Sequence, residues 1–138
     1  MTSRDTDATT REHSTAATAA DAPVTISYEE IDGARIAVVS LNRPAKLNGL
    51  TMAMLRGLDD AAATLRRDRD LRGVIFAGAG DSFCAGLDFG SVLKKPLDIA
   101  VAFTPNPFAR DGANLFQRVC WEWRRLPVPV IAVVHGHC

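Results

Sequence analysis

The residues best suited to chemistry lie in a glycine-dense segment, Gly78 to Asp88, which reads Gly-Ala-Gly-Asp-Ser-Phe-Cys-Ala-Gly-Leu-Asp. Because glycine has no Cβ, such a loop lets backbone N–H groups approach a ligand closely; a tight connection without function is the alternative. A dinucleotide-binding fingerprint that starts at Gly78 would need glycine where Phe83 stands. A nucleophile elbow centred on Ser82 would need glycine where Cys84 stands. The segment therefore fits neither motif.

Thiol, imidazole and carboxylate side chains offer further candidates. Cys84 has no basic neighbour in the sequence to activate its thiol, so we predict a small buried residue. His135, His137 and Cys138 lie together, but no second cluster of ligands accompanies them, so we predict no metal site. Asp88 is either a catalytic acid or, as an acidic residue after a glycine turn, the N-cap of a helix.

The composition narrows the classes of function. Lys and Arg number 16 and Asp and Glu number 16, and this balance lacks the basic excess of nucleic-acid-binding domains. No apolar stretch approaches the roughly 20 residues of a membrane span, so we predict no membrane partner. Hydrophobic residues make up 47% of the chain, which is enough for a packed core. The three cysteines do not form a disulfide framework and favour a reducing, cytoplasmic location.

The first 22 residues differ in composition from the rest of the chain. Residues 1–22 contain no Val, Ile, Leu, Phe, Tyr or Trp and so have nothing to bury. We predict that they form a disordered tail and that residues 23–138 form one domain or part of one. The tail has neither the apolar stretch of a secretory signal nor the acid-poor composition of a transit peptide.

The predicted elements follow the order β-β-α-β-α-β, which is typical of an α/β layer fold. Asp32-Gly33 indicates a hairpin turn between the first two strands, and Thr51 is the predicted N-cap of the first helix. The segment Lys94 to Arg110 shows no steady period and is predicted to be a variable insertion, and Asp111 is the predicted cap of the second helix. The predicted strands are a half-buried one with Val24, Ile26 and Tyr28, then Ala34–Leu41, and two buried ones at 74–76 and 130–134. The apolar face of the first helix is Leu55, Leu58, Ala62 and Leu65, and that of the second is Leu115, Phe116, Val119, Cys120, Trp123 and Leu126.

Three segments, taken together, resemble the crotonase (enoyl-CoA hydratase/isomerase) superfamily. Leu41 to Leu50, Leu-Asn-Arg-Pro-Ala-Lys-Leu-Asn-Gly-Leu, is similar to the Leu-Asn-Arg-Pro-x-x-x-Asn-Ala-Leu signature. Gly78 to Asp88 resembles the Thr-Gly-x-Gly-x-x-Phe-Cys-Ala-Gly-x-Asp loop, and Pro129 to Gly136 resembles the Lys-Pro-Val-Ile-Ala-x-Val-x-Gly strand. The order and spacing agree across the whole predicted domain.

The resemblance implies a crotonase-like superhelix of repeated β-β-α turns, with an acyl-CoA lying between the first of these segments and the glycine loop. Members of the family hold a thioester carbonyl with two backbone N–H groups, an oxyanion hole that stabilises an enolate. The first donor matches the backbone N–H of Leu87, which is the predicted catalytic group. Coenzyme A is part of the substrate, so no separate cofactor is expected. The positions that match the family's substrate site are Ala45, Lys46, Leu47, Gly49, Ala85, Gly86, Leu87, Asp88 and Phe89, with Lys46 as a candidate for contact with phosphate or adenine.

The same resemblance places the second oxyanion donor and two acidic positions beyond Cys138, so the 138 residues alone are predicted to be nearly inert, with the superhelix truncated before the second half of its core. The predicted function is that of an enoyl-CoA hydratase, which adds water to a 2-enoyl-CoA. An enoyl- or dienoyl-CoA isomerase and a non-catalytic interaction fragment are alternatives, and a nucleotide-binding domain is one that Phe83 disfavours. Family members are commonly trimers or paired trimers, so the resemblance implies a homo-trimer or hexamer.

Overall fold

Four strands form one sheet in the order β1-β2-β3-β4. The computed structural model describes residues 21–107 and 112–138, so the prediction of a disordered tail falls mostly on residues outside the described part. The strands are β1 (Val24–Ile31), β2 (Ala34–Leu41), β3 (Leu71–Gly78) and β4 (Val130–Val133). The helices are α1 (Met52–Leu65), α2 (Phe89–Val92), α3 (Pro96–Phe103) and α4 (Leu115–Trp121), with short 3-10 helices at Pro44–Lys46 and Glu122–Arg125. The predicted α/β class is confirmed.

The parallel strands β2, β3 and β4 all end at the same edge of the sheet, because β2 pairs with β3 and β3 with β4 in parallel register. Their last residues are Leu41, Gly78 and Val133. Loops that follow the carboxyl ends of parallel strands are the usual place for a ligand in an open α/β sheet. Two of the segments that resemble a known family begin at the ends of β2 and β3, and the third contains β4.

The hairpin that precedes this edge is formed as predicted. β1 and β2 are antiparallel, with Ile31 opposite Ala34, and Asp32 and Gly33 between them have φ of 51° and 78°. Two consecutive positive φ values are those of the tight turn whose twist matches paired strands. The predicted half-buried alternation of β1 is wrong beyond its first residues, since Tyr28 is 45% exposed and the strand lies at an edge of the sheet.

Helix α1 packs across the sheet and forms the main core. Thr51 caps it as predicted, since its hydroxyl oxygen accepts a hydrogen bond from the N–H of Met54 at 3.2 Å. Removal of such a cap typically costs about 1 kcal/mol. All four residues of the predicted apolar face are buried, and Leu58 and Leu65 pack against β2 and β3 residues such as Val39 and Val74.

The segment Lys94 to Arg110, predicted to be a mobile or variable insertion, contains helix α3 at residues 96–103, which the sequence did not indicate. Pro96 occupies its first turn, where the missing N–H of proline is no loss. Of the helix's residues only Ala102 is fully buried, whereas Leu97 is 81% exposed. A helix with so narrow a buried face shows no amphipathic period in its sequence.

The second predicted helix is shorter than expected. Asn114 caps α4 and forms a capping box with Gln117, while the predicted cap, Asp111, lies outside the described residues. The chain then tightens into a 3-10 turn that includes Trp123. The ring of Trp123 packs against Phe76 at a centroid distance of 5.3 Å, next to the core as its spacing predicted.

The last strand is formed but is not buried as predicted. β4 is the edge strand of the sheet, and Ile131 and Val133 are 60% and 48% exposed. The apolar run was interpreted from its composition alone, which does not show what packs over a strand. No helix in the described ranges combines the length and apolar character needed to cross a membrane.

Candidate functional site

Two loops are joined side by side at the carboxyl edge of the sheet. The first loop, residues 42–50, follows β2, and the glycine loop, residues 78–88, begins at the end of β3. The N–H of Ala85 donates to the carbonyl of Leu47 at 2.9 Å. The N–H of Leu50 donates to the carbonyl of Gly86 at 2.8 Å, and the N–H of Asp88 donates to the carbonyl of Leu50 at 2.9 Å. The two loops thus share a short parallel ladder.

Asn48 holds the start of the same two loops together. Its side chain is fully buried, and its amide nitrogen donates to the carbonyls of Ala79 and Ser82 at 2.9 and 2.7 Å. Its amide oxygen accepts a hydrogen bond from the N–H of Arg43 at 2.8 Å. Leu47 and Asn48 both have positive φ, 49° and 54°, which asparagine tolerates better than most residues. The fixed shape of the first loop therefore depends on a polar group that is satisfied on both its ends.

A third segment, residues 134–138, holds the glycine loop from another side. The N–H groups of Phe83 and Cys84 donate to the carbonyls of His135 and His137 at 2.8 and 3.0 Å. The buried hydroxyl of Ser82 lies 3.0 Å from Nδ1 of His137. The histidines thus act as hydrogen-bonding partners of the glycine loop. Among the described residues no group of three His, Cys, Asp or Glu side chains is arranged to hold a metal ion.

The backbone N–H of Leu87 has no hydrogen-bond acceptor among the described residues. It belongs to the same peptide unit as the carbonyl of Gly86, which accepts from Leu50. Because a trans peptide is planar, its N–H and C=O point in opposite directions. The hydrogen bond from Leu50 therefore directs the Leu87 N–H away from the first loop. The side chain of Leu87 packs against the small core cluster that includes Met52 and Leu55, which anchors the residue.

Gly86 leaves room beside this free N–H. Its φ is 83°, in the left-handed region, and a Cβ built on it would meet no atom within 4 Å. Glycine is thus required by the backbone conformation and not by crowding within the chain. An unpaired backbone donor next to open space is suited to bind a carbonyl oxygen or an anion.

Asp88 performs the predicted capping role and also forms an ion pair. One carboxylate oxygen accepts from the N–H of Ser91 at 3.1 Å, and the other accepts from Nη1 of Arg43 at 3.0 Å. The hydrogen bond with the backbone of Ser91, followed by that with Arg43, lowers the pKa of Asp88 below its ordinary value. The carboxylate is therefore ionised and hydrogen-bonded on both oxygens. This arrangement suits a structural role better than that of a proton donor.

The structure brings some of the residues predicted for substrate binding together more closely than others. Leu47 and Gly49 lie directly against residues 85–88. Ala45 and Lys46 lie in the exposed 3-10 helix, outside the ladder. Phe89, 65% exposed, starts α2 just after the free N–H. The exposed members of the predicted set are Ala45, Lys46, Leu47, Ala85, Gly86 and Phe89.

Sequence reasoning missed Arg43, Asn48 and His137 as parts of this arrangement. Arg43 and Asp88 are 45 positions apart, so no local spacing indicates their pairing. The available signal was that Arg43 and Asn48 are themselves part of the segment that resembles a family signature. Cys84 is half-buried against the main core, not fully buried as predicted.

Residues 32–138 match the family model described as Enoyl-CoA hydratase/isomerase. The matched range includes the first loop, the glycine loop and the segment from Pro129 to Gly136. The chain belongs to the enoyl-CoA hydratase/isomerase family. The predicted resemblance to the crotonase superfamily is thereby confirmed.

Curated relatives and a solved structure agree with this family. The chain is 36% identical over 101 residues to the enoyl-CoA hydratase EchA19 of Mycobacterium tuberculosis, covering 72% of this chain and 35% of the relative. It is 33% identical over 104 residues to the mitochondrial Delta(3,5)-Delta(2,4)-dienoyl-CoA isomerase of Rattus norvegicus, covering 72% and 31%. The crystal structure of an enoyl-CoA hydratase from Mycobacterium avium subsp. paratuberculosis K-10 matches with a TM-score of 0.61 and 26% identity, covering 83% of this chain and 39% of that one.

The fold is therefore that of the enoyl-CoA hydratase/isomerase family over the part that the chain shares with it. The chain spans about a third of the length of the curated relatives it matches. Family membership also disfavours a nucleotide-binding domain, the alternative that the glycine loop first suggested.

Proposed function

We propose that the protein binds an acyl-CoA and that the N–H of Leu87 donates a hydrogen bond to the thioester carbonyl oxygen. The observation that carries this proposal is the N–H itself, which has no acceptor in the described ranges and adjoins the open space at Gly86. The hydrogen bond from Leu50 to the Gly86 carbonyl fixes the direction of this N–H. A donor held in this way is ready for an acceptor that the ligand supplies.

The proposed donor would act on the charge that develops during reaction. When the thioester becomes an enolate, negative charge moves onto the carbonyl oxygen, and a hydrogen bond to that oxygen strengthens. A donor already fixed in position needs no reorganisation as the charge forms, and the loss of one such donor typically lowers turnover about 10²- to 10³-fold. The ladder through Leu50 and Gly86 supplies that fixed position.

The residues around the donor fit the other parts of an acyl-CoA. Ala85 and Gly86 are small and exposed, so a thioester and its pantetheine chain can approach the backbone. Lys46 is exposed on the 3-10 helix of the first loop, where its ammonium group can meet a phosphate. We propose that Ala45, Leu47 and Gly49 line the same side and that Phe89 lies towards the acyl group.

The reaction that we propose is the hydration of a 2-enoyl-CoA, supported by the similarity to enoyl-CoA hydratases. An isomerase is the second candidate, because a dienoyl-CoA isomerase is similar over nearly the same share of the chain. Both reactions pass through an enolate of the thioester, so the Leu87 donor serves either. The difference lies in which groups move the proton.

We further propose that no cofactor is needed besides the coenzyme A of the substrate, that the full-length protein is a homo-trimer or hexamer, and that it is cytoplasmic. The first rests on the chemistry, because proton transfer and addition of water require no redox group. The cytoplasmic location rests on the cysteine content, which favours a reducing compartment. The similar dienoyl-CoA isomerase of Rattus norvegicus is, by contrast, mitochondrial by name. Analytical ultracentrifugation of the full-length protein tests the assembly.

Replacement of the Leu87 amide by an ester tests the donor. Incorporation of the α-hydroxy acid analogue of leucine at position 87 of the full-length protein removes the N–H and keeps the side chain. We expect kcat for a 2-enoyl-CoA to fall about 10²- to 10³-fold, measured from the ultraviolet absorbance of the conjugated thioester. Leu87→Ala, which keeps the N–H, is the control and should lose far less. Equal losses in both variants would contradict the proposal.

A 3,5-dienoyl-CoA substrate separates the two reactions. An isomerase converts it into a conjugated 2,4-dienoyl-CoA with a rise in absorbance, whereas a hydratase lowers the absorbance of a 2-enoyl-CoA. Turnover of the dienoyl substrate alone would favour the isomerase. Failure to bind any acyl-CoA at millimolar concentration would remove both.

A further inference from the structure

We propose that Arg43 is a positioning residue that holds the Leu87 donor in its productive direction. The inference rests on the proposed function of Leu87. A single guanidinium nitrogen, Nη1 of Arg43, donates to the carbonyl of Gly49 at 2.7 Å and to the carboxylate of Asp88 at 3.0 Å. Arg43 is in the first loop, and Asp88 is in the glycine loop, so the side chain joins the two.

The two acceptors of Arg43 lie next to the residues that set the direction of the Leu87 N–H. Gly49 precedes Leu50, and Asp88 follows Leu87, while Leu50 and Leu87 are the paired residues of the ladder. The direction of the Leu87 N–H is set by the hydrogen bond between Leu50 and the Gly86 carbonyl. By holding both neighbours of that pair, Arg43 limits the separation and rotation of the two strands of the ladder.

Arg43 is itself held firmly enough to act in this way. Its N–H donates to the buried side chain of Asn48, and its carbonyl accepts from the N–H groups of Lys46 and Asn48, both at 3.0 Å. Its side chain is 26% exposed and that of Asp88 is 24% exposed, so the pair is partly withdrawn from water. Hydrogen bonds between charged groups are shorter and stronger than those between neutral ones.

A second arginine in the chain offers a matched comparison. Arg35 also joins separate segments through ion pairs, with Glu30 at 3.2 Å and Asp68 at 3.4 Å, and its side chain is 40% exposed. It lies near the start of β2, at the opposite end of the strand from the first loop. Loss of Arg35 therefore removes an arginine ion pair without touching the Leu87 donor.

The decisive measurement uses a 2-enoyl-CoA whose conjugated aryl group makes its absorption sensitive to polarisation of the carbonyl. In the full-length protein, a hydrogen bond from Leu87 to the bound thioester shifts the absorption to longer wavelength. We expect Arg43→Met to reduce this shift and to lower kcat about 10- to 100-fold, the scale of a displacement near 1 Å, with KM changed much less. Arg35→Met should keep the shift and kcat of the unmodified protein.

Other results decide against the inference. If Arg43→Met keeps the spectral shift and kcat within about twofold, or if it loses no more than Arg35→Met, Arg43 only stabilises the fold. If Arg43→Met does not fold, Asp88→Asn replaces it, because an amide still accepts from Ser91 while the ionic partner of Arg43 is lost; an unchanged shift in Asp88→Asn then overturns the proposal. If the unmodified protein binds the probe without any shift, the proposed role of Leu87 fails, and this outcome is distinct from a failure of the role of Arg43 alone.

Discussion

The carboxyl edge of the sheet and helix α3 are organised in opposite ways. At the edge, Asn48 and Arg43 satisfy the polar groups of two loops, and Asn48 is fully buried. In α3, apolar side chains face outward, with Leu97 81% and Val101 68% exposed. The position of the candidate donor is thus determined by hydrogen bonds within this chain. The conformation of α3 has far less support from the described residues.

The largest expected difference in stability at the carboxyl edge of the sheet is between alanine variants of two glycines with positive φ, Gly136 and Gly86. Gly136→Ala places a Cβ against the carbonyl of Asp81, whereas Gly86→Ala meets open space. The left-handed conformation costs an L-residue about 1–2 kcal/mol in both cases, and overpacking adds about 1–3 kcal/mol at Gly136. Urea denaturation of the full-length variants should therefore show a loss of about 2–5 kcal/mol for Gly136→Ala and about 1–2 kcal/mol for Gly86→Ala. Equal losses would show that the crowding at Gly136 is relieved by movement of the glycine loop.

The buried amide of Asn48 should come next in size. Asn48→Ala leaves the carbonyls of Ala79 and Ser82 and the N–H of Arg43 without this partner. Of the hydrogen bonds lost, only the one to Ser82 is fully buried. A buried polar group left unsatisfied costs about 1–3 kcal/mol, so the free energy of unfolding should fall by about 1–3 kcal/mol. Asn48→Asp keeps the acceptor for Arg43 but places a carboxylate oxygen against the carbonyls of Ala79 and Ser82, so it should lose more stability than the alanine variant. A loss below about 0.5 kcal/mol for the alanine variant would mean that the two loops do not depend on this side chain.

A smaller effect is expected from the carboxylate of Asp88, through its pH dependence. Its pKa is lowered in the folded protein, first by the hydrogen bond from Ser91 and then by Arg43. The folded protein therefore holds this proton less tightly than the unfolded chain, whose aspartate pKa is about 3.9. The stabilisation is present above that value and is lost as pH falls through the lower folded pKa. Denaturation midpoints measured from neutral pH downwards should show a steeper acid loss in the unmodified protein than in Asp88→Asn. Parallel curves would contradict it.

The smallest effect on stability is expected in helix α3. Leu97→Ala in α3 removes a side chain that is 81% exposed, and surface substitutions usually change stability by no more than about 0.5 kcal/mol. Leu58→Ala, in the buried face of α1, is the matched control and should cost about 2–5 kcal/mol. A large loss for Leu97→Ala would show that α3 is covered by a surface outside the described residues.

The elements that could be predicted from the sequence are those whose signal is local. The Asp32-Gly33 turn, the Thr51 cap and the buried face of α1 each depend on residues within one or two turns of chain, and the structure has all three. Helix α3 was missed because its inward face, the buried Ala102 with the partly buried Ile99, is too narrow to give a clear period. The burial of β4 was wrong because burial depends on what packs against a strand, which its own composition does not state.

The candidate site was predictable in part for a related reason. A glycine loop and a backbone donor have a sequence signature, so residues 85–89 could be proposed from resemblance. The pairing of Arg43 with Asp88 and of Ser82 with His137 joins positions 45 and 55 apart, and it exists only once the sheet has brought three strand ends together. Sequence spacing gives no measure of that proximity.

The planar peptide between Gly86 and Leu87 has a mechanical consequence. The carbonyl oxygen of this planar unit is hydrogen-bonded to Leu50, and the opposite side carries the free N–H. A small movement of Leu50 therefore rotates the peptide plane and changes the direction of the N–H. Substitutions in the neighbouring segment around Leu50 can thus change the direction of this N–H while residue 87 itself, with its side chain packed against the core cluster, stays the same.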